Sequence, residues 1–248
     1  MSDIPTDAVE IKCTLSDTSL DSAMASLHLG DSHRKRTIWF FDSIDSTQRH
    51  PRLFRAGIIL RLRRKKDGPG ESTLKLRPAR AELLVGDFRA GSGHFGKRYS
   101  VEYDWAHNPV LAASMDADVN HDAADRMVHE LAEDRFPVDQ LRLLHEAGTP
   151  PRHPFAAIRA AGPIASARWD DIGEGPLATL RAERWTYGDD KQFLELSLQV
   201  KDLTAGKQCR DALLDDLARR RGLTPDPAGK AKDEIVLMDL LLAPHHAW

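Results

Sequence analysis

Apolar and polar residues alternate along several short segments of the chain, and this period-2 pattern predicts β-strands with one apolar and one polar face. In residues 8–14, Val9, Ile11 and Cys13 lie on one side of the strand and Glu10 lies on the other. The same pattern, with β-branched and aromatic residues, predicts further strands over residues 36–43, 58–64, 72–77, 97–105, 163–169, 178–185 and 193–201. We therefore expect a sheet built from short, two-faced strands.

Helical spacing of apolar residues interrupts these strands at three places. Residues 20–27 predict a first helix, residues 108–148 predict a helical region, and residues 208–222 predict another helix. Strands with the same kind of polar face lie on both sides of the middle region. We therefore predict one domain over residues 1–248, with a helical insertion around residues 106–150.

The polar faces of the predicted strands are rich in arginine and lysine, interspersed with single carboxylates. The hairpin of residues 58–64 and 72–77, for example, presents Arg61, Arg63 and Lys75 on one face. A two-layer protein with its charged face in water would show the same alternation. Solvent faces usually contain more Gln, Asn and Ser, so the composition favours the alternative. We predict an α+β protein whose sheet closes on itself around a polar cavity, with helices packed on the apolar outer face.

Several guanidinium groups in one cavity repel each other unless anions share the space. Arginine binds phosphate oxygens with two parallel hydrogen bonds, so a polyanion with phosphate groups is the expected ligand. The carboxylates among these basic residues are oxygen ligands of the kind that Mg²⁺ and Mn²⁺ prefer, and these cations also bind substrate phosphates. The pattern indicates metal-assisted chemistry on a phosphorylated small molecule.

Five segments, in this order along the chain, resemble the sequence pattern of the CYTH domain, or triphosphate tunnel metalloenzyme, family. They are "AVEIK" at residues 8–12, "FFDSIDSTQRHPRLFRAGIILRLRR" at 40–64, "TLK" at 73–75, "SVEYD" at 100–104 and "FLELSLQV" at 193–200. The resemblance implies a closed antiparallel barrel of eight strands that binds triphosphate. Members of the family hydrolyse inorganic or thiamine triphosphate, or cyclise ATP.

The resemblance also implies roles for individual residues. The residues expected at the reacting phosphates are Lys12, Arg61, Arg63 and Lys75. The further substrate-binding residues are Arg77, Arg168, Arg181 and Lys232, to which the polar face of residues 97–105 adds Arg98. The carboxylates expected to hold Mg²⁺ or Mn²⁺ are Glu10, Glu102, Glu183 and Glu195.

Three positions depart from the family pattern. Ala8 replaces the first glutamate of the opening strand, and Ser197 and Gln199 stand where acids are expected near the end. Fewer carboxylates weaken a divalent-cation site, so a phosphate-binding module without turnover stays open as an alternative to a triphosphatase. An adenylyl cyclase of the same family also stays open, because it differs from a triphosphatase only in the attacking nucleophile, a ribose hydroxyl instead of water.

Composition excludes several other classes of protein. The chain has 248 residues, 41% of them hydrophobic and 29% charged, which is typical of a globular protein. Its two cysteines are too few for a disulfide framework, and the absence of a signal-like start or a long apolar run predicts a cytoplasmic protein without a membrane span. The net charge of −3 makes nucleic acid an unlikely partner, while a homodimer stays open.

Overall fold

The computed structural model describes residues 4–16, 20–32, 34–45, 50–65, 68–89, 92–130, 132–226 and 232–242. Within these ranges the strands are β1 (Ala8–Ser16), β2 (Arg34–Asp42), β3 (Ile44–Asp45), β4 (His50–Pro51), β5 (Ile58–Arg64), β6 (Gly70–Leu76), β7 (Tyr99–Trp105), β8 (Pro109–Val119), β9 (Arg159–Trp169), β10 (Arg181–Tyr187) and β11 (Lys191–Val200). The helices are α1 (Leu20–Ser26), α2 (Arg52–Arg55), α3 (Ser92–Phe95), α4 (His121–His129), α5 (Val138–Ala147), α6 (Leu203–Asp215) and α7 (Lys232–Leu242).

Nine of these strands close into a barrel, in the order β1-β11-β10-β9-β2-β5-β6-β8-β7, while β3 and β4 pair separately. The prediction of a closed barrel in an α+β protein is confirmed. The prediction of eight strands, all antiparallel, is wrong. Where the barrel closes, β1 and β7 run in the same direction, with Glu10 opposite Asp104.

Strand β8 is one of the elements that the sequence did not predict, because its residues fall inside the region predicted to be helical. The segment is rich in alanine and contains Met115, and both residue types favour helices. Its alternation is nevertheless that of a strand, since Ala113 and Met115 pack in the outer core while Ser114 and Asp116 line the interior. The helices of this region, α4 and α5, begin only at His121.

Two apolar cores cover the outside of the barrel. One lies under α4 and α5, where Leu74 and Met115 pack with Leu143. The other lies under α1 and α6, where Leu196 packs with Leu213. The outward residues of the strands are therefore buried by helices, which leaves the inward positions to the polar residues.

A third apolar cluster lies inside the barrel and closes one of its ends. Phe40, Trp185 and Phe193 come from three strands, and they pack against Val236 and Leu237 of α7. Helices outside the barrel were predicted, but α7 differs because it fills the barrel end. We call this arrangement the α7 plug. Within the described ranges, no helix is both long enough and apolar enough to span a bilayer.

Candidate anion-binding tunnel

A cavity of about 210 Å³ lies inside the barrel, and charged side chains dominate its lining. The lining residues are Glu10, Lys12, Arg61, Arg63, Thr73, Lys75, Ser100, Glu102, Ser114, Asp116, Gln199, Lys232 and Asp233. Most of them occupy alternate positions of their strands, as the pleat requires for side chains on one face. We call this cavity the tunnel.

Asp104 connects three of the cations at one side of the tunnel. Its Oδ2 atom lies 2.8 Å from Lys12 Nζ, 2.9 Å from Lys75 Nζ and 3.1 Å from Arg77 Nη1. Lys12 Nζ also lies 2.8 Å from Glu10 Oε2. A single buried carboxylate therefore holds three positive charges at one point.

The electrostatics of this group follow from its burial. Burial alone would raise the pKa of Asp104, but Lys12, Lys75 and Arg77 hold that pKa well below its usual value. Burial would likewise lower the pKa of Lys12, but Asp104 and Glu10 raise it well above the usual value. Both groups are therefore charged at neutral pH, and the lysine is suited to bind an anion rather than to transfer a proton.

Lys232, from the first turn of α7, makes a second cluster. Its Nζ atom lies 2.7 Å from Glu183 Oε2 and 2.8 Å from Glu195 Oε1, and 4.8 Å from the centre of the Trp185 ring. Ser166 Oγ donates a 2.6 Å hydrogen bond to Glu183 Oε1. The α7 plug thus contributes one positive charge to the tunnel, between two carboxylates.

Arg61 and Arg63 project into the tunnel from β5, two positions apart. Burial lowers the pKa of Arg61, and the neighbouring Arg63 lowers it further. The Nε atoms of both guanidiniums are buried and have no hydrogen-bond partner in the part of the chain that the structure describes. Arg61 Nη2 donates to Thr73 Oγ1 at 3.3 Å, and that hydroxyl donates to Asp116 Oδ1 at 2.6 Å. Arg61 makes no ion pair with a described carboxylate, whereas Arg63 Nη1 lies 3.4 Å from Glu71 Oε1.

Comparisons with known proteins place this barrel among solved structures. No family model and no curated protein matches the chain. A "putative adenylate cyclase" from Bacillus halodurans superposes with a TM-score of 0.56 at 16% identity, over 92% of this chain and 95% of that one. A "putative adenylyl cyclase" from Hippeastrum, for which a dominant triphosphatase activity is described, superposes with a TM-score of 0.52 at 13% identity, over 91% and 92%.

The chain has the same closed-barrel fold as these two structures. Five segments of its sequence resemble the CYTH family, and the chain superposes on the two structures over nearly its whole length. The predicted resemblance is confirmed at the level of the fold.

The barrel brings most of the predicted residues together. Lys12, Arg61, Arg63, Lys75, Glu10, Glu102 and Lys232 line the tunnel itself. Glu183 and Glu195 contact Lys232, and Arg77 contacts Asp104, so these three adjoin the lining. Arg168 and Arg181 lie farther along the barrel, both near Asp170.

Arg98 is the exception. It lies in the turn before β7, with 58% of its side chain exposed, and its Nη1 atom lies 3.2 Å from Asp139 Oδ2. The sequence reading treated it as an inward residue of a strand beginning at position 97, but β7 begins at Tyr99. The prediction that Arg98 binds substrate in the tunnel is therefore wrong.

Three acidic residues of the site were absent from the predicted set. Asp104 and Asp116 occupy inward positions of β7 and β8. Alternation along residues 97–105 does place Asp104 on the polar face, whereas Asp116 falls in the region that was predicted to be helical. Asp233 follows Lys232 on α7, and its Oδ2 atom lies 3.5 Å from Arg77 Nη2. No strand pattern could indicate it, because its position depends on how a helix enters the barrel.

The four glutamates predicted to bind metal fall into two groups in the barrel. Glu10 and Glu102 lie near Lys12 and Lys75, while Glu183 and Glu195 flank Lys232. The described residues contain no cluster of three or more acidic, histidine or cysteine side chains in a metal-binding arrangement. Glu195 Oε2 is nevertheless buried and has no hydrogen-bond partner among those residues, and burial raises the pKa of this carboxyl.

The Glu183 and Glu195 pair would offer oxygen ligands to a hard cation of the Mg²⁺ type where Lys232 Nζ, at 2.7 and 2.8 Å, gives up its contacts. Such an ion usually takes one or two carboxylates from the protein and completes its coordination with water and substrate phosphates. The unpartnered oxygen of Glu195 supplies one free ligand for it.

Proposed function

We propose that the tunnel binds a triphosphate-containing small molecule and hydrolyses it, with Mg²⁺ or Mn²⁺ as cofactor. The observation that carries this proposal is the pair Arg61 and Arg63, whose buried Nε atoms lack partners among the described residues. Further cations converge on the same cavity from β1, β6 and α7. A linear anion with charge on every unit, such as triphosphate, matches several cations spread along one tunnel.

In this proposal the protein lowers the barrier chiefly by charge stabilisation. Arg61 and Arg63 hold one part of the phosphate chain, and Lys12, Lys75 and Arg77 compensate the charge that develops on the leaving phosphate. Glu183 and Glu195 would hold the divalent cation, which supplies neutralisation of phosphate oxygens and orientation of the attacking water. The triphosphatase activity described for the Hippeastrum protein supports hydrolysis over cyclisation.

A second candidate is a module that binds phosphate without turnover. It is favoured by Gln199, which lies opposite Glu10 on the neighbouring strand β11, at a position where the family pattern expects an acid. The side chain of Gln199 is neutral, so a cation near Glu10 has one carboxylate fewer beside it than the family pattern would provide. The two candidates share the ligand and differ in whether phosphate is released.

The test combines calorimetric titration of tripolyphosphate, with and without Mg²⁺ or Mn²⁺, with an assay of released phosphate in the same samples. We expect metal-dependent release, and an affinity loss of about tenfold or more in Arg63→Gln, because hydrogen bonds to charged groups contribute roughly 1.5–3 kcal/mol. Arg64→Gln is the matched control, since Arg64 is the next residue on β5 and pairs outside the tunnel with Asp125. Binding without release would favour the module, and the absence of binding would refute both candidates.

The metal site is tested separately through Lys232→Met, which removes the ammonium group between Glu183 and Glu195 while keeping a long side chain. We expect this variant to bind Mn²⁺ more tightly than the wild type, because the ammonium and the metal compete for the same carboxylates. Electron paramagnetic resonance of free Mn²⁺ measures the affinity without any turnover. An unchanged affinity would place the cation elsewhere.

A further inference from the structure

Four arginines lie at the end of the barrel that is remote from the apolar α7 plug. Arg34 is opposite Arg168 in the β2–β9 pairing, and Arg36 is opposite Ser166, whose hydroxyl donates to Glu183 beside the tunnel. The fourth, Arg181, is opposite Ser197 at the start of β10. We call Arg34, Arg36, Arg168 and Arg181 the arginine collar.

Few carboxylates compensate the positive charges of the collar. Asp170 serves three of its members, with side-chain distances of 2.6 Å to Arg34, 2.6 Å to Arg168 and 3.7 Å to Arg181. Positive charge therefore exceeds negative charge around Asp170. Arg168 and Arg181 keep 30% and 35% of their side chains exposed, so their guanidiniums remain accessible to a ligand.

Glu71 connects Arg36, the member of the collar that does not contact Asp170, to the tunnel. Its Oε1 atom lies 3.8 Å from Arg36 Nη1 and 3.4 Å from Arg63 Nη1, and Arg63 lines the tunnel. Asp118 is opposite Glu71 on β8. Glu183 and Asp116 also act on Arg63, so the excess of positive charge lies at the collar around Asp170 rather than at Arg63. Because Arg36 and Arg63 share Glu71, an anion held by Arg63 lies next to a member of the collar.

We propose that the arginine collar is a second anion subsite, which binds phosphate groups beyond the three held in the tunnel. The ligand class that follows is a condensed phosphate chain of four or more units. This inference rests on the proposed function, because the chain must first be held by Arg61 and Arg63. Asp170 and Glu71 hold the arginines of the collar in place. When the phosphate chain binds, these arginines exchange their carboxylate contacts for contacts with phosphate oxygens.

The experiment compares the affinity of the full-length protein for tripolyphosphate and for a medium-length linear polyphosphate, by calorimetry at fixed ionic strength. The test variant is the double substitution Arg34→Gln with Arg36→Gln. The control is Lys35→Gln with Arg184→Gln, which also removes two positive charges. Lys35 and Arg184 lie on the opposite faces of their strands from Arg36 and Arg181, because successive side chains of a strand alternate, and they line a groove that Arg36 also borders. Thermal unfolding verifies that all variants are folded.

We expect the wild type and the control to bind the longer chain more tightly than tripolyphosphate. The collar variant should lose about tenfold of the affinity for the longer chain while keeping its affinity for tripolyphosphate. Asp170→Asn should change the affinity for the longer chain in the opposite direction, because it removes the carboxylate that competes with phosphate.

Two outcomes overturn the inference in distinguishable ways. If tripolyphosphate binds but the collar variant and the control lose equal affinity for the longer chain, the collar is only a general source of positive potential. If tripolyphosphate does not bind to the wild type, the proposed function fails and the inference fails with it.

Discussion

Asp104 is the residue on which the cation cluster of the tunnel depends. Replacing it with asparagine leaves Lys12, Lys75 and Arg77 close together without their shared negative charge. We expect Asp104→Asn to lower the free energy of unfolding at neutral pH by roughly 3–5 kcal/mol, as for other broken buried ion pairs. Denaturant titration measures this, and Asp139→Asn, which affects a surface pair with Arg98, should cost about 1 kcal/mol or less.

The same variant has a defined pH dependence. The pKa of Asp104 in the folded protein is held well below its ordinary value of 3.8, so its contribution to stability is present above that value and is lost as the pH falls through the folded pKa. The difference in free energy of unfolding between the wild type and Asp104→Asn should therefore be largest above about pH 4 and should decrease in more acidic buffer. A difference that stays constant down to pH 2 would contradict this account.

At the scale of elements, α5 is held on the barrel by one buried polar side chain. Gln140 Oε1 accepts a 2.8 Å hydrogen bond from Ser72 Oγ on β6, and Nε2 donates to the carbonyl oxygens of Ser72 and Met115 at 2.8 and 2.9 Å. Gln140→Leu should lower the free energy of unfolding by about 2–4 kcal/mol, because several polar atoms lose their partners.

A double-mutant cycle with Ser72→Ala isolates the interaction of Gln140 with that hydroxyl. We expect a coupling energy of about 1 kcal/mol between the two substitutions, measured by urea unfolding. Strictly additive effects would mean that Gln140 acts through packing alone.

The elements also separate what the sequence could predict from what it could not. Strands such as β5 and β6 were readable because apolar and basic residues alternate without interruption, and their antiparallel pairing is as predicted. Strand β8 was not predictable, because alanine carries little information about which face of a strand is buried. Helix α7 was missed for another reason. Both faces of a helix inside a barrel end can be apolar, so no amphipathic period marks it.

The candidate site also contains residues that the sequence predicts and residues that it does not. Inward residues on strands follow from the pleat, and most of the predicted ligands line or adjoin the tunnel. Arg98 failed because a strand boundary was set two residues too early, at position 97 instead of 99. The clustering of three cations around Asp104 required the β1–β7 closure, which joins segments more than 90 residues apart and has no local sequence signal.

For the whole molecule, the α7 plug should be separable from the barrel. Leu237 is 2% exposed among the aromatic residues of the interior, so Leu237→Asp would bury a charge and should release α7. We expect increased binding of a hydrophobic dye, early proteolysis within α7 and weaker tripolyphosphate binding, since Lys232 leaves the tunnel. Limited proteolysis with mass spectrometry locates the cleavage.

Glu234→Gln, on the same helix but outside the apolar cluster, should behave like the wild type. Complete loss of cooperative unfolding in Leu237→Asp would show that α7 is an integral part of the barrel core rather than a plug.

The position of α7 in the chain sets the order in which the tunnel is assembled during synthesis. The last barrel strand ends at Val200, whereas α7 begins at Lys232. A growing chain therefore releases every strand of the barrel from the ribosome before it releases the lysine that separates Glu183 from Glu195. Until α7 arrives, these two carboxylates face each other without that ammonium. Docking of α7 therefore completes the charge balance of the tunnel only after the strands that carry the two carboxylates have been synthesised.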